Sequence, residues 1–245
     1  MKTLTPASLK TSVQNLGYAW NPTQLNIIGI RTNLTLPDIF NDLLVCCWHQ
    51  PSMPAGLSVL AQQQFLATWL FTGKDGKLIK ADGVAGANTT FALKQLAATA
   101  GTERMKAWII TTTPGLFYLQ KPLSKLGCAV LVPGQYTGTY QLGFHQSKPD
   151  HPALVQVNGK VKVYRDNDRD ITAEETKVIE EGLFGVNIHR ANSLGATPRI
   201  GNWSAGCQVF QRKSDHNELL CICETYRQQI KNRFTYTLLR ERELL

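Results

Sequence analysis

A chain of 245 residues with 43% hydrophobic and 18% charged side chains can bury a core and is too apolar to be disordered. Its net charge of +8 points to an anionic partner, yet the basic residues are scattered and no aromatic-interleaved basic stripe marks a nucleic-acid binder. No run approaches the ~20 apolar residues of a membrane-spanning helix, and six irregularly placed cysteines do not form a disulfide framework.

Residues 1–51 read as a short helix, then the strand-like run "LNIIGIRT", then "LPDIFNDLLVCCWHQ", where Cys46 and Cys47 belong to an apolar core. This N-terminal segment is expected to pack on the main domain. "PSMPAG" breaks the pattern with two prolines and a glycine. Leu57, Leu60, Ala61, Phe65, Trp69 and Leu70 then follow helical spacing, and "TTFALKQLAATA" gives a second helix beyond the glycine-rich "ADGVAGANT". These two helices make a small all-α unit over 52–102.

From 105 onward the signals turn to strands: "KAWIITTT", "GLFYL", "CAVLV" and "TGTYQLGF", separated by proline and glycine. "ALVQVNGKVKVYR" predicts a hairpin, with Asn158-Gly159 in a type I′ turn. "GVNIHRA" and "GCQVF" are further strands, and "FTYTLL" reads as a final one. Asp215 and Glu218 fit a capping box before a late helix whose apolar face is Leu219, Ile222, Cys223, Tyr226 and Ile230. The fold class expected is α+β overall: a mainly β domain over 105–245, with one late helix, plus the small all-α unit.

The candidate chemistry lies in "NIHRANSLGATPRIGNWSAGCQVF". His189 ends one predicted strand and Cys207 begins another, across a loop holding glycines and a proline. A free thiol is only slightly ionised at neutral pH, so a neighbouring imidazole is what would make it a competent nucleophile. If the two strands lie side by side, the thiol returns to the imidazole and the loop roofs the site. The small residues before the cysteine would let the backbone amides of Gly206 and Cys207 face a developing oxyanion. His49, His151 and His216 have no comparable flanking pattern, whereas His145 in "LGFHQ" could reach the cleft. A buried, inert Cys207 is the alternative.

These residues resemble the catalytic domain of the L,D-transpeptidase, or YkuD-type, family, in which a histidine is followed by a loop and then Ser/Thr-His-Gly-Cys. Here His189 precedes Ser204-Ala205-Gly206-Cys207, and "TTTPGLFYL" is similar to the family's earlier Thr-Pro-Thr-Gly-x-Phe element. The resemblance covers about residues 105–212. It implies a β-rich sandwich or barrel fold in which Cys207 attacks a peptidoglycan stem peptide, His189 is the base and the backbone carbonyl of Arg190 orients the imidazole. Two positions depart from the family: its histidine before Gly-Cys is Ala205, and its Asn or Arg after the cysteine is Val209. Ser204, Trp203, Asn202 and His145 are the candidates to line the cleft. "KADGVAGANTTFALKQL" is similar to the signature of small three-helix peptidoglycan-binding modules through Asp82, Gly83, Gly86 and Thr89.

Asp166, Asp168 and Asp170 alternate like the opening of a calcium loop, but Ile171 and Lys177 stand where that loop needs glycine and glutamate. A solvated acidic turn is expected, and neither a metal nor an organic cofactor is required. The reading is therefore a peptidoglycan-active cysteine enzyme cutting between the diamino acid and D-alanine of a stem peptide, by hydrolysis, exchange or transpeptidation. Its alternatives are a catalytically silent peptidoglycan-binding protein and a cysteine amidase or peptidase of other specificity. The expected partners are stem peptides and an anionic cell envelope, with a delivery or immunity partner conceivable. No secretory signal is visible in "MKTLTPASLKTSVQNLGYAW", so synthesis in the cytoplasm and action in the periplasm or cell wall after lysis or delivery are expected.

Overall fold

A computed structural model describes residues 4–34, 38–229 and 231–245. The chain is α+β with a β-dominated core. Its strands are β1 (Asn26–Arg31), β2 (Asp42–His49), β3 (Glu103–Thr111), β4 (Cys128–Leu131), β5 (Gly134–Phe144), β6 (Pro152–Gln156), β7 (Val161–Asp166), β8 (Ile179–Gly182), β9 (Ile188–Arg190), β10 (Gln208–Phe210) and β11 (Phe234–Arg240). Eight close a barrel in the order β1-β11-β5-β6-β9-β10-β3-β2, and β4-β7-β8 form a second sheet. Two barrel strands thus come from residues 1–51, which are woven into the same sheet as 105–245.

The continuous apolar runs of β1 and β2 follow from burial on both faces. Ile27, Leu44 and Cys46 face the barrel interior, while Ile28, Ile30, Val45 and Cys47 face outward. Helix α1 (Pro6–Asn15) covers that outer face with Leu9 and Val13. Its start is fixed by a capping box, in which Thr5 and Ser8 exchange side-chain and backbone bonds.

The chain leaves the barrel between β2 and β3 to form α2 (Val59–Thr68) and α3 (Ala87–Thr99). The apolar side of this unit, including Leu66, Trp69, Phe71, Ala92 and Leu96, belongs to the same hydrophobic cluster as the barrel interior. Trp69 packs on Trp48 of β2 and edge-on to Tyr226, with centroids 6.4 and 6.0 Å away. Buried Gln63 organises the loop between the two helices. Its Oε1 accepts from the backbone N–H of Asp82 and Gly83, and its Nε2 donates to Asp82 Oδ1, Val84 O and Thr89 Oγ1. Gly86 is the N-cap of α3. Asp82, Gly83 and Thr89 are thus bound to one another through Gln63.

Three local expectations are corrected. "GLFYL" is not a strand: Leu116–Gln120 form the short helix α4. Gly115 caps it, and the Leu116 N–H, one of the donors a helix start leaves open, goes to Asp38 Oδ1. The Asn158-Gly159 hairpin does not form either. A type I′ turn needs positive φ at both positions, and neither residue has it. Strand β6 pairs with β5 and β9, whereas β7 crosses to the second sheet beside β4 and β8. Gly159 serves a close approach instead, because a Cβ there would stand 2.8 Å from Thr139 Oγ1.

The third correction concerns the late helix, α5 (Lys213–Gln229), which begins before the expected capping box. Asp215 therefore lies inside the first turn, where its charge suits the helix dipole. Glu218 instead accepts a hydrogen bond from Trp108 Nε1 at 2.7 Å. Leu219, Ile222, Cys223 and Tyr226 are buried as one face; Ile230 lies outside the described residues. Among the described residues no helix is long and apolar enough to cross a membrane.

Candidate active site

Strands β9 and β10 are parallel neighbours, with Val209 in register with His189. Alternation then decides the geometry. Ile188 and Phe210 point into the barrel, while His189, Cys207 and Val209 share the outer face. Cys207 Sγ and a ring nitrogen of His189 lie within 4.8 Å of each other, and a ring nitrogen of His145 lies within the same distance of both. Cys207 is half-buried and His189 fully buried.

Hydrogen bonds settle the protonation of the imidazoles. His189 Nδ1 is 2.7 Å from the Arg190 carbonyl oxygen, which can only accept, so Nδ1 carries the proton. His189 Nε2 is then a bare nitrogen, buried and without a hydrogen-bond partner among the described residues. The same carbonyl accepts from His151 Nε2 at 3.1 Å. His145 stacks on His189 with centroids 3.9 Å apart and planes 22° from parallel.

Burial, followed by the nearby His145, holds His189 well below the usual imidazole range. Burial also pushes the Cys207 thiol up to about 11, although the backbone N–H of Asn187 works in the other direction. The resting pair is therefore neutral thiol and neutral imidazole. At rest the thiol donates to Gly185 O at 3.5 Å, so it must turn about its side-chain bond to meet Nε2.

The roof of the site, residues 191–206, is stitched down. Asp38 Oδ1 accepts from the N–H of Leu116 and Gly201, its carbonyl accepts from Ile200, and Gly115 N–H donates to Ser204 O. Asp38 was not singled out in the sequence; an aspartate in a proline-flanked loop is common, and its role rests on long-range bonds. The cavity beside this stitch, bounded by Arg31, Asp42, Thr113 and Leu119 among others, is about 50 Å³, room for a few waters.

The expected cleft residues separate. Ser204 is fully buried, donating to Cys207 O at 2.8 Å and accepting from Gly206 N–H at 3.2 Å. It shapes the turn rather than facing solvent. The Gly206 N–H is therefore engaged within the turn, which leaves the Cys207 N–H of the two amides expected to face an oxyanion. The requirement for glycine at 206 is steric: φ is +125°, and a Cβ would stand 2.5 Å from Ala129 O. Trp203 packs with Cys207 against Phe40, Ala191, Ile200 and Val209. Asn202 is exposed in the roof.

Asn187 and Gln156 complete the surroundings. The Gln156 side chain donates to Gly159 O and Gly182 O and accepts from Phe184 N and Val186 N, fixing the segment that carries Gly185 and Asn187. Asn187 Oδ1 accepts from Gln156 N at 2.9 Å, and its Nδ2 is 3.1 Å from His145 Nδ1. His151 and His216 also gather here, the latter buried against Phe210 with both ring nitrogens unpartnered among the described residues. Their convergence is invisible in sequence because they come from separate loops and a helix.

Two groups of potential metal ligands occur among the described residues. His145, His189 and Cys207 form one, but Nδ1 of each imidazole is engaged and the rings are stacked, which is poor geometry for converging on one ion. The second is Asp168, Asp170 and Glu174, all exposed. Asp166, expected with the two aspartates, is instead buried and accepts from Glu174 N.

Compared with protein-family models, curated proteins and solved structures, the chain gives no match.

Proposed function

We propose that the protein is a cysteine acyl-transfer enzyme of L,D-transpeptidase type, acting on the stem peptide of peptidoglycan. The observation that carries the chemistry is a ring nitrogen of His189 within 4.8 Å of Cys207 Sγ, on an imidazole whose Nδ1–H is tied to Arg190 O and whose Nε2 is bare. The substrate class rests on the resemblance of His189 and Ser204-Ala205-Gly206-Cys207 to that family's motif.

In this mechanism His189 Nε2 takes the thiol proton as Sγ attacks the carbonyl carbon of the diamino acid–D-alanine bond. The imidazolium is stabilised by Nδ1–H donating to Arg190 O, and it returns the proton to the leaving amine of D-alanine. A thioester on Cys207 remains. Water or an amine, deprotonated by the same Nε2, attacks the thioester and releases the thiol. Intact mass analysis of the protein incubated with tetrapeptide muropeptides tests this. An adduct of the tripeptide acyl group on Cys207, absent in Cys207→Ala, is expected; no adduct and no product would sink the proposal.

A second reading, a wall-binding protein without turnover, is favoured by one observation. The Gly206 N–H is already donated to Ser204 Oγ, which removes an expected oxyanion donor. In that case wild type binds sacculi but leaves muropeptides unchanged.

A further inference from the structure

We infer that His145 supplies an oxyanion-stabilising N–H at the Cys207 site, and that Asn187 and Gln156 are positioning residues that fix its tautomer. This inference rests on the acyl-transfer reading and adds a group to it.

The Gln156 backbone N–H can only donate, so the Asn187 side-chain atom 2.9 Å away is its oxygen. The amide nitrogen of Asn187 therefore faces His145 Nδ1 at 3.1 Å and donates to it. An Nδ1 that accepts holds no proton, so the neutral ring carries its proton on Nε2. His189 is held in the opposite tautomer, with its proton on Nδ1. Two stacked imidazoles 3.9 Å apart thus present a bare nitrogen and an N–H.

The chemistry needs both. A base must take the thiol proton, and a donor must meet the charge that develops on the carbonyl oxygen. Gly206 N–H is engaged by Ser204, so of the two backbone amides expected there that of Cys207 is left, and a side-chain donor would complete the pair. His145 Nε2 has no partner among the described residues, and the ring, half-buried, has a nitrogen within 4.8 Å of Cys207 Sγ. Neutrality matters as well, because a second cation stacked on His189 would oppose formation of the imidazolium. Burial first, then His151 and Lys148, hold His145 down to about 4.

The test combines nitrogen-15 NMR of the histidine rings with acylation kinetics in the full-length protein. Wild type should show His145 as the Nε2–H tautomer; an Nδ1–H signal would overturn the inference. Asn187→Asp keeps an acceptor for Gln156 N but offers His145 only an acceptor, so the neutral ring should switch to Nδ1–H while acylation falls. A switch with unchanged acylation overturns the inference. His145→Ala should slow acylation roughly 10²–10³-fold, the loss typical of one oxyanion donor, and His145→Gln should recover part of it. Iodoacetamide alkylation of Cys207, which needs the base and no oxyanion, should stay near wild type in His145→Ala. Equal loss of alkylation would make His145 only a support for His189 and overturn the assignment. Absence of any acyl-enzyme in wild type would sink the acyl-transfer reading itself; an acyl-enzyme that forms normally in His145→Ala sinks only this inference.

Discussion

His189 Nδ1 and the carbonyl oxygen of Arg190 are 2.7 Å apart, a bond between sequence neighbours that determines which imidazole nitrogen is bare. A carboxylate in that place would pull the imidazolium toward stability. A carbonyl dipole does so more weakly, leaving burial free to hold His189 neutral. The proposed nucleophile is therefore generated during attack, by proton transfer, rather than stored as a thiolate.

His189→Ala should lower turnover roughly 10²–10⁴-fold, the range for loss of a positioned general base. Cys207→Ala should abolish it with little change in stability, since the thiol is half-buried and makes one long hydrogen bond. In a Cys221→Ser background, which removes the exposed thiol, iodoacetamide should label Cys207 ahead of Cys46 and Cys128. Burial pushes Cys46 well up and Cys128 up to about 12. Equal labelling of the three would mark Cys207 as an inert thiol.

The pH dependence follows from the neutral pair. His189 lies well below its usual value and Cys207 is raised to about 11. The form with a bare imidazole and a protonated thiol therefore spans the neutral range. The profile of kcat/KM should be flat there, falling on the acid side below the ordinary imidazole value, and alkylation of Cys207 should climb toward pH 11. Alkylation already maximal at about pH 6 would indicate a thiolate–imidazolium pair instead.

How much of this was readable from residues alone can be judged from particular elements. The apolar runs at 26–31 and 42–49 signal strands through composition, but their place in the barrel depends on pairing with β11 and β3, which no local pattern encodes. "GLFYL" has a strand's composition and becomes a helix because Asp38, far away in sequence, takes an N–H at its start. Asn158-Gly159 has hairpin chemistry, yet the partners of β6 and β7 lie in different sheets. The approach of His189 to Cys207 could be anticipated because two short strands joined by one loop tend to be neighbours. The Gln156–Asn187–His145 chain could not, since each member comes from a different strand or loop.

Acid should destabilise the fold through its buried histidines. Burial depresses His216 to about 3 and holds His189 well below 6.5. The unfolded chain therefore binds protons first as pH falls through about 6.5. Their stabilising contribution is complete above that pH and is lost progressively toward about pH 3, by up to about 1.4 kcal/mol per unit for each fully buried group. Comparing Tm at about pH 7 and pH 5 for wild type and His216→Leu checks the sign. The variant should lose less on acidification, and an equal loss would show that His216 does not contribute.

The α2–α3 unit should unfold together with the barrel, because Trp69 sits between Trp48 and Tyr226 in one hydrophobic cluster. Gln63→Leu removes the buried amide that ties Asp82, Gly83, Val84 and Thr89 together and should cost about 1–2 kcal/mol in denaturant unfolding, without adding a second transition. Two separate transitions would show an independent module. Asp82→Ala in the full chain should leave pelleting with sacculi unchanged if this loop only supports itself. Loss of pelleting in the folded variant would instead place Asp82 at the polymer.

The fate of the proposed thioester depends on what can hold an amine beside it. Val209, where the family it resembles has Asn or Arg, is fully buried against Phe40, Ala191 and Ile200, so no polar group from that position reaches the sulfur. Ala205 offers none either. Positioning a second substrate can be worth several kcal/mol, and without those contacts a bulky stem peptide gains little over water or a small free amino acid. Trimming of the terminal D-alanine, or its exchange for a free D-amino acid, should therefore outweigh cross-linking. Mass spectrometry after incubation with tetrapeptide muropeptides, with and without added D-amino acid, should find tripeptide or exchanged tetrapeptide in excess. Abundant directly cross-linked dimer would show that groups other than those at 205 and 209 hold the acceptor.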